Sequence, residues 1–211
     1  MTVIYFVRHG QTDWNRLGVF RGRADRPLDE RGLRQVERVK DALKDKGVES
    51  LFAGPLKRTI QTFLPLAGSG KINVIDDLVD IDYGEWQGEK KEDVKKKWPD
   101  LWDRWHSDPF SVAFPGGESL VKVQERAVAA VNQIRESVGN AAVAVCTHRV
   151  VLKALFCSFV RAEAKTAFYT FKLDPASISI VRYMDDLPVI AGFNDTRHLE
   201  GENLSIGIQD F

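Results

Sequence analysis

Thr2-Val3-Ile4-Tyr5-Phe6-Val7-Arg8-His9-Gly10-Gln11-Thr12 begins as an apolar, β-branched and aromatic run and stops at an arginine, a histidine and a glycine. Side chains of the first kind fit a pleated, buried surface. A buried strand ending in this trio sets a cation and an imidazole at the carboxyl edge of a sheet. In open α/β folds that edge is where ligands bind.

A second stretch repeats the pattern. Ala142-Val143-Ala144-Val145-Cys146 is uninterrupted and apolar, as a centre strand buried on both faces should be, and it ends at Thr147-His148-Arg149. Between the two, Asp29 followed by Leu33, Val36, Val39, Ala42 and Leu43 predicts an N-capped amphipathic helix over 30–45, closed at Lys46-Gly47. A short strand at 50–53 is broken by Gly54-Pro55; a helix follows to residue 66, then a strand at 71–76. An acidic and aromatic passage, residues 76–88, leads into a charged segment at 89–106 with Trp98, Trp102 and Trp105, read as helices broken at Pro99 and the tryptophans as core anchors. A long amphipathic helix spans 118–138. Another, apolar, runs from His148 to about residue 159, and strands near 176–183 and 188–193 close the chain as a meander. Alternating strands and helices predict a three-layer α/β/α sandwich with a mostly parallel mixed sheet. One domain is expected over 1–211, with a cap-like helical insertion at about 87–118.

Composition narrows the function. The 211 residues are 44% hydrophobic and 28% charged, ordinary for a globular chain. Lys plus Arg and Asp plus Glu balance at 30 each, so no overall field favours nucleic acid or an anionic membrane. Anion binding must come from local placement. The Lys95-Lys96-Lys97 run reads as a solvated helix face. The apolar run at 3–7 is too short to span a bilayer, and a cytoplasmic location is expected. Cys146 and Cys157 read as core thiols, and four histidines without paired spacing, with no cysteine pairs, leave little basis for a zinc site.

Parallel strands deliver their C-terminal ends to one edge, so His9 and His148 should meet there beside Arg8. A phosphoryl group in transfer carries charge on three oxygens, and its catalysis rests on placement and positive electrostatics. Arginine's planar fork matches those oxygens, and neutral imidazole can accept the phosphoryl group covalently. Gly10 lets backbone approach the oxyanion. Arg58, at the start of the helix after Pro55, adds a cation at the same edge. The leaving group needs a proton, and Asp80, Asp82 and Glu85 are the acids beside Tyr83 and Trp86, of which at most one should be catalytic.

Val7-Arg8-His9-Gly10-Gln11-Thr12-Asp13-Trp14-Asn15 resembles the signature of the histidine phosphatase superfamily, in its phosphoglycerate mutase-like branch. Pro27-Leu28 with Gly32, the 55–62 and 82–88 stretches, Gly116-Gly117-Glu118-Ser119, Thr147-His148 and Asn194 to Leu199 match in family order. The resemblance implies that His9 becomes phosphorylated while Arg8, Arg58 and His148 hold the phosphoryl oxygens. It aligns Asn15 with a phosphate contact and Thr12 with a substrate-facing hydroxyl. The family's donor glutamate in a Leu-x-Glu-Ile pattern falls on Asp80, one methylene shorter, with Asp82 as the fallback. Arg149 stands where the family often has glycine. It either adds a cation near the substrate with Arg21 and Arg23, or turns to solvent or a carboxylate.

The expected function is that of a metal-independent phosphomonoesterase acting on a small phosphorylated metabolite, with no cofactor. A cofactor-dependent phosphoglycerate mutase is the alternative, disfavoured by the short 86–118 region and its lack of an Arg-Arg pair. A non-catalytic phospho-ligand module is the second alternative, disfavoured because His9, Arg8, Arg58 and His148 are all present. The expected partner is a small phosphate ester, without nucleic acid or membrane, and dimers are frequent among relatives of this type.

Overall fold

The computed structural model describes residues 1–160 and 164–200. The expected domain over 1–211 includes 161–163 and 201–211, which lie outside the described residues. Among the described residues, six strands form one sheet in the order β3-β2-β4-β1-β5-β6. They are β1 (Thr2–Arg8), β2 (Val48–Ala53), β3 (Ile72–Val74), β4 (Ala142–Thr147), β5 (Ile178–Met184) and β6 (Leu187–Asp195). The first four in sheet order run parallel, and β5 and β6 are antiparallel additions on the far side of β1.

The period-2 alternation of β1 sorts its side chains into two cores. Ile4 and Phe6 belong to the larger one, against α6 (Leu120–Val138) and α7 (Arg149–Val160). Val7 belongs to the smaller, with Val39 and Leu43 of α2 (Glu30–Leu43) and Phe63 of α3 (Lys57–Ala67). Helices therefore cover both faces, as expected. Asp29 caps α2 by accepting the Gly32 N–H at 2.8 Å. Leu33, read as part of that helix's apolar stripe, is 49% exposed. Gly32 faces inward instead, because a Cβ there would lie 2.1 Å from the Gln11 carbonyl oxygen.

Several element limits differ from expectation for local reasons. α2 stops at Leu43, and the chain turns through 44–47. β3 has only three residues, since Asp76 already starts a 3-10 turn. β5 begins at Ile178: Ala176 sits at φ 60°, and its N–H is shared between the Arg8 and His9 carbonyls at 3.0 and 3.2 Å. Two helices were not foreseen, α1 (Asp13–Leu17) and α8 (Ala164–Thr170). Both are short, with too few turns to show a 3.6-residue period.

Within the proposed insertion, α4 (Lys91–Lys97) and α5 (Pro99–Ser107) are separated at Pro99, which takes the first position of α5. Lys95, Lys96 and Lys97 are exposed. Trp86 and Trp105 are 0% and 2% exposed. Phe114 meets Tyr83, Trp86 and Trp105 at centroid distances of 4.9, 5.0 and 5.2 Å, with interplanar angles of 88°, 75° and 63°. These are edge-to-face contacts, each adding about 0.5–1.5 kcal/mol beyond burial. The aromatic block fixes the acidic passage against the body of the fold.

Candidate active site

The β1–β4 register pairs Arg8 with Thr147, and the His9 N–H extends the ladder to the Thr147 carbonyl at 3.1 Å. Two rings that are far apart in sequence thus arrive side by side, His9 and His148, with centroids 5.2 Å apart. β2 lies on the other side of β4 and leads through Gly54-Pro55 into α3, whose second residue is Arg58. β3 leads to the turn carrying Asp80. Every expected catalytic residue comes from the carboxyl end of a parallel strand, and all five are buried: Arg8 0%, His9 1%, Arg58 1%, Asp80 6% and His148 0% exposed.

Hydrogen bonds give the two imidazoles complementary tautomers. His9 Nδ1 is 2.7 Å from the Gly10 carbonyl oxygen. A carbonyl only accepts, so Nδ1 carries the proton and Nε2 keeps a lone pair. His148 Nδ1 receives the Arg58 Nε–H at 3.2 Å, so its proton sits on Nε2. That Nε2 is buried with no hydrogen-bond partner among the described residues. The site therefore holds one nucleophilic ring nitrogen and one ring N–H donor. Both histidines have pKa values pushed well below the usual imidazole range, first by burial and then by the neighbouring Arg58 charge. Both rings stay neutral near pH 7.

Arg58 is the hub. Its Nη1 donates to the Ala24 carbonyl at 2.7 Å, and its Nη2 donates to the Gly22 carbonyl at 2.8 Å and to Asp80 Oδ2 at 3.1 Å. Burial lowers its pKa more than Asp80 raises it, yet a guanidinium remains charged at any working pH. Arg8 lies against the Leu173 carbonyl. Net charge near zero thus hides a concentrated positive field at one strand edge.

Asp80 and Asp82 divide clearly. Asp80 Oδ2 lies 3.1 Å from Arg58 and 3.6 Å from His148 Nδ1, inside the site. Asp82 Oδ1 accepts the Gly84 N–H at 2.9 Å and its Oδ2 faces Arg23 at 3.6 Å, so its carboxylate shapes the turn. Glu85 is exposed. Arg23 spans Asp82 and Glu118, and its expected place beside the substrate gives way to this ion-pair role. Arg21 and Arg149 do line the cavity that His9 and Asp80 open into, with Phe20 and Tyr83.

Gly10 acts differently from expectation. Its N–H is committed to Thr62 Oγ1 at 3.1 Å, and a Cβ would lie 3.1 Å from the Gly32 carbonyl oxygen and 3.2 Å from Val36, toward α2. Glycine is needed for packing, and the residue serves the site through its carbonyl on His9. Thr12 and Asn15 are buried together. The Thr12 N–H and hydroxyl both donate to Asn15 Oδ1, at 2.8 and 2.9 Å, while Asn15 Nδ2 has no hydrogen-bond partner among the described residues. Thr62, one helical turn after Arg58, ties Gly10 to that arginine's backbone: its Oγ1 accepts the Gly10 N–H at 3.1 Å and donates to the Arg58 carbonyl at 2.7 Å.

The family model for the histidine phosphatase superfamily (branch 1) matches residues 4–196. The chain belongs to this superfamily, as a phosphatase-type member. It is 33% identical over 201 residues to phosphoserine phosphatase 1 of Hydrogenobacter thermophilus, covering 94% of this chain and 95% of that one. It is 29% identical over 204 residues to the metal-independent phosphoserine phosphatase of Arabidopsis thaliana, covering 94% and 84%. Among solved structures, YhfR of Bacillus stearothermophilus superposes with a TM-score of 0.90 at 26% identity, over 95% of this chain and 100% of that one. Among the described residues, no helix is long and apolar enough to cross a membrane.

Proposed function

We propose that the chain hydrolyses a small phosphomonoester through a phosphohistidine on His9, without a metal ion. The observation that carries this is the pair of opposed tautomers, a bare Nε2 on His9 beside an Nε2–H on His148, among buried guanidinium groups. His9 Nε2 attacks phosphorus as the ester P–O bond breaks, and the Asp80 carboxyl hands its proton to the departing oxygen. The arriving phosphate shares the Arg58 guanidinium that Asp80 Oδ2 contacts at 3.1 Å, which brings the carboxyl beside the ester oxygen. The ring becomes positive as the N–P bond forms, and its Nδ1–H bond to Gly10 strengthens. Water then attacks phosphorus and gives its proton to Asp80. Phosphate leaves, and neutral His9 returns.

Arg8, Arg58 and His148 hold the equatorial oxygens, and Asn15 Nδ2 adds a donor, with Thr12 holding Asn15 in its orientation. Arg21 and Arg149 meet the rest of the ester. A cation at Arg149 suits a substrate with a second anionic group such as a carboxylate. O-phosphoserine is the first compound to assay, because both relatives described above bear that name. A cytoplasmic setting agrees with two buried, unpaired cysteines, Cys146 and Cys157.

The test is p-nitrophenyl phosphate turnover with and without chelator, with trapping of acid-labile, base-stable phosphoprotein. Turnover should survive chelation, and His9→Ala should abolish both turnover and the trapped species. Activity retained in His9→Ala, or a strict metal requirement, overturns the reading.

A further inference from the structure

The segment that carries Asp80 has no ladder or helix of its own to hold it. Residues 79–83 lie between two 3-10 turns. A proton donor must nonetheless be held to a fraction of an ångström, since a displacement of about 1 Å can cost 10²-fold in rate. A guanidinium from α6 gathers the carbonyls along the segment. Arg126 Nη1 donates to the Asp77 carbonyl at 2.6 Å and the Val79 carbonyl at 2.7 Å, and its Nη2 donates to the Asp80 carbonyl at 3.2 Å. The opposite edge of the same group is bidentate on Glu118, from Nε to Oε1 at 2.9 Å and from Nη2 to Oε2 at 3.1 Å.

Glu118 completes the clasp from the other end. Its Oε2 accepts the Asp82 N–H at 2.9 Å, and its own N–H donates to the Asp82 carbonyl at 2.9 Å. Arg23 adds a bond to the Asp80 carbonyl at 3.4 Å and an ion pair to Glu118 at 3.2 Å. The Arg126 and Glu118 side chains are 14% and 15% exposed, so the pair is largely shielded from water. α6 is a 19-residue helix packed on the larger core, which makes it a rigid mount.

We infer that Arg126 and Glu118 are positioning residues for proton donation, registering the Asp80 backbone against α6 so that its carboxyl meets the leaving oxygen. This rests on Asp80 being the donor, and the test separates the two claims. A merely structural clasp would, when broken, depress all substrates alike or lower only stability. A positioning clasp, when broken, penalises esters whose leaving oxygen needs the proton most.

The experiment compares kcat/KM for p-nitrophenyl phosphate, a good leaving group, with an alkyl ester such as O-phosphoserine, in Arg126→Met, Arg126→Lys, Glu118→Gln and Asp80→Asn. Arg135→Met, on the same helix but paired with Asp186, is the control and should match the parent on both esters. Arg126→Met should lose about 10- to 100-fold on the alkyl ester and under about threefold on p-nitrophenyl phosphate, a part of the roughly 10²–10⁴-fold that a general acid supplies. Lysine should restore part of the loss, and Asp80→Asn should show the same pattern at larger amplitude. If Arg126→Met does not accumulate as folded protein, Glu118→Gln carries the test with the same selective loss. Equal loss on both esters, or none, in the folded variants overturns this inference. An Asp80→Asn variant without leaving-group dependence overturns the donor assignment itself.

Discussion

The Arg58–Asp80 pair offers a prediction whose sign is as informative as its size. Arg58→Met removes a side chain that is 1% exposed and donates to His148, Ala24, Gly22 and Asp80. It strands a carboxylate that is 9% exposed, and breaking one half of a buried ion pair costs about 3–5 kcal/mol. The buried Gly22 carbonyl loses its donor as well, about 1 kcal/mol more. Arg58→Met should therefore be destabilised by about 4–6 kcal/mol. Adding Asp80→Asn removes the stranded charge. The double variant should recover about 1 kcal/mol relative to Arg58→Met, which with the cost of about 1–2 kcal/mol for Asp80→Asn alone makes a coupling of about 2–3 kcal/mol, the size found for residues in one network. Asp80→Asn alone should instead destabilise by about 1–2 kcal/mol, because an ion pair becomes a bond from the guanidinium to a neutral amide. Urea denaturation with constant m-values measures all four corners of the cycle. Additive effects, with Asp80→Asn destabilising in both backgrounds, would refute the view that Arg58 is held in place chiefly as the counter-charge of Asp80.

Two further outcomes follow from the site and its mount. His9 and His148 have folded pKa values below that of a free histidine, so the unfolded chain takes up protons first as pH falls. The stability they contribute is complete above about pH 6.5 and is lost on acidification at up to about 1.4 kcal/mol per histidine per pH unit. Unfolding free energies measured between pH 7 and 5.5 should show this slope, and His148→Gln should flatten it; an unchanged slope contradicts the burial argument. Gly84→Ala puts a Cβ 2.0 Å from the Pro115 carbonyl oxygen at a residue with φ 51°, and a thermal melt should show a loss of about 3 kcal/mol or more.

Much of this was legible because the chemistry sits where the pattern breaks. The apolar runs 2–7 and 142–146 announce buried strands, and the polar residues that end them are conspicuous against that background. His9, His148, Arg8 and Arg58 are legible for that reason. Asp80 was not, on residue type alone: three acids crowd its neighbourhood, and what distinguishes it is the direction of its side chain. That direction depends on backbone contacts such as the bond from the Glu118 N–H to the Asp82 carbonyl, which composition does not encode. Arg126 was invisible for a related reason. An arginine on the polar side of an amphipathic helix is indistinguishable by periodicity from its solvated neighbours, and only the three carbonyls gathered around it reveal its task. Gly10 shows the opposite error. Its place in the motif was plain, but the helix it packs against and the carbonyl it turns to His9 emerge only when α2 is in position.

The strand order has a consequence for synthesis. β1 lies between β4 and β5, so the first of this sheet's strands to be made has neither neighbour until residues 142–147 and 178–184 follow. At about 5–20 residues per second the wait is on the order of ten seconds. Throughout it, Ile4, Phe6 and Val7, all buried in the finished sheet, lie on a nascent segment with both edges unsatisfied, a ready template for foreign pairing. The same non-local closure that brings His9 beside His148 leaves this segment unpaired until late, and the site is complete only when the sheet closes.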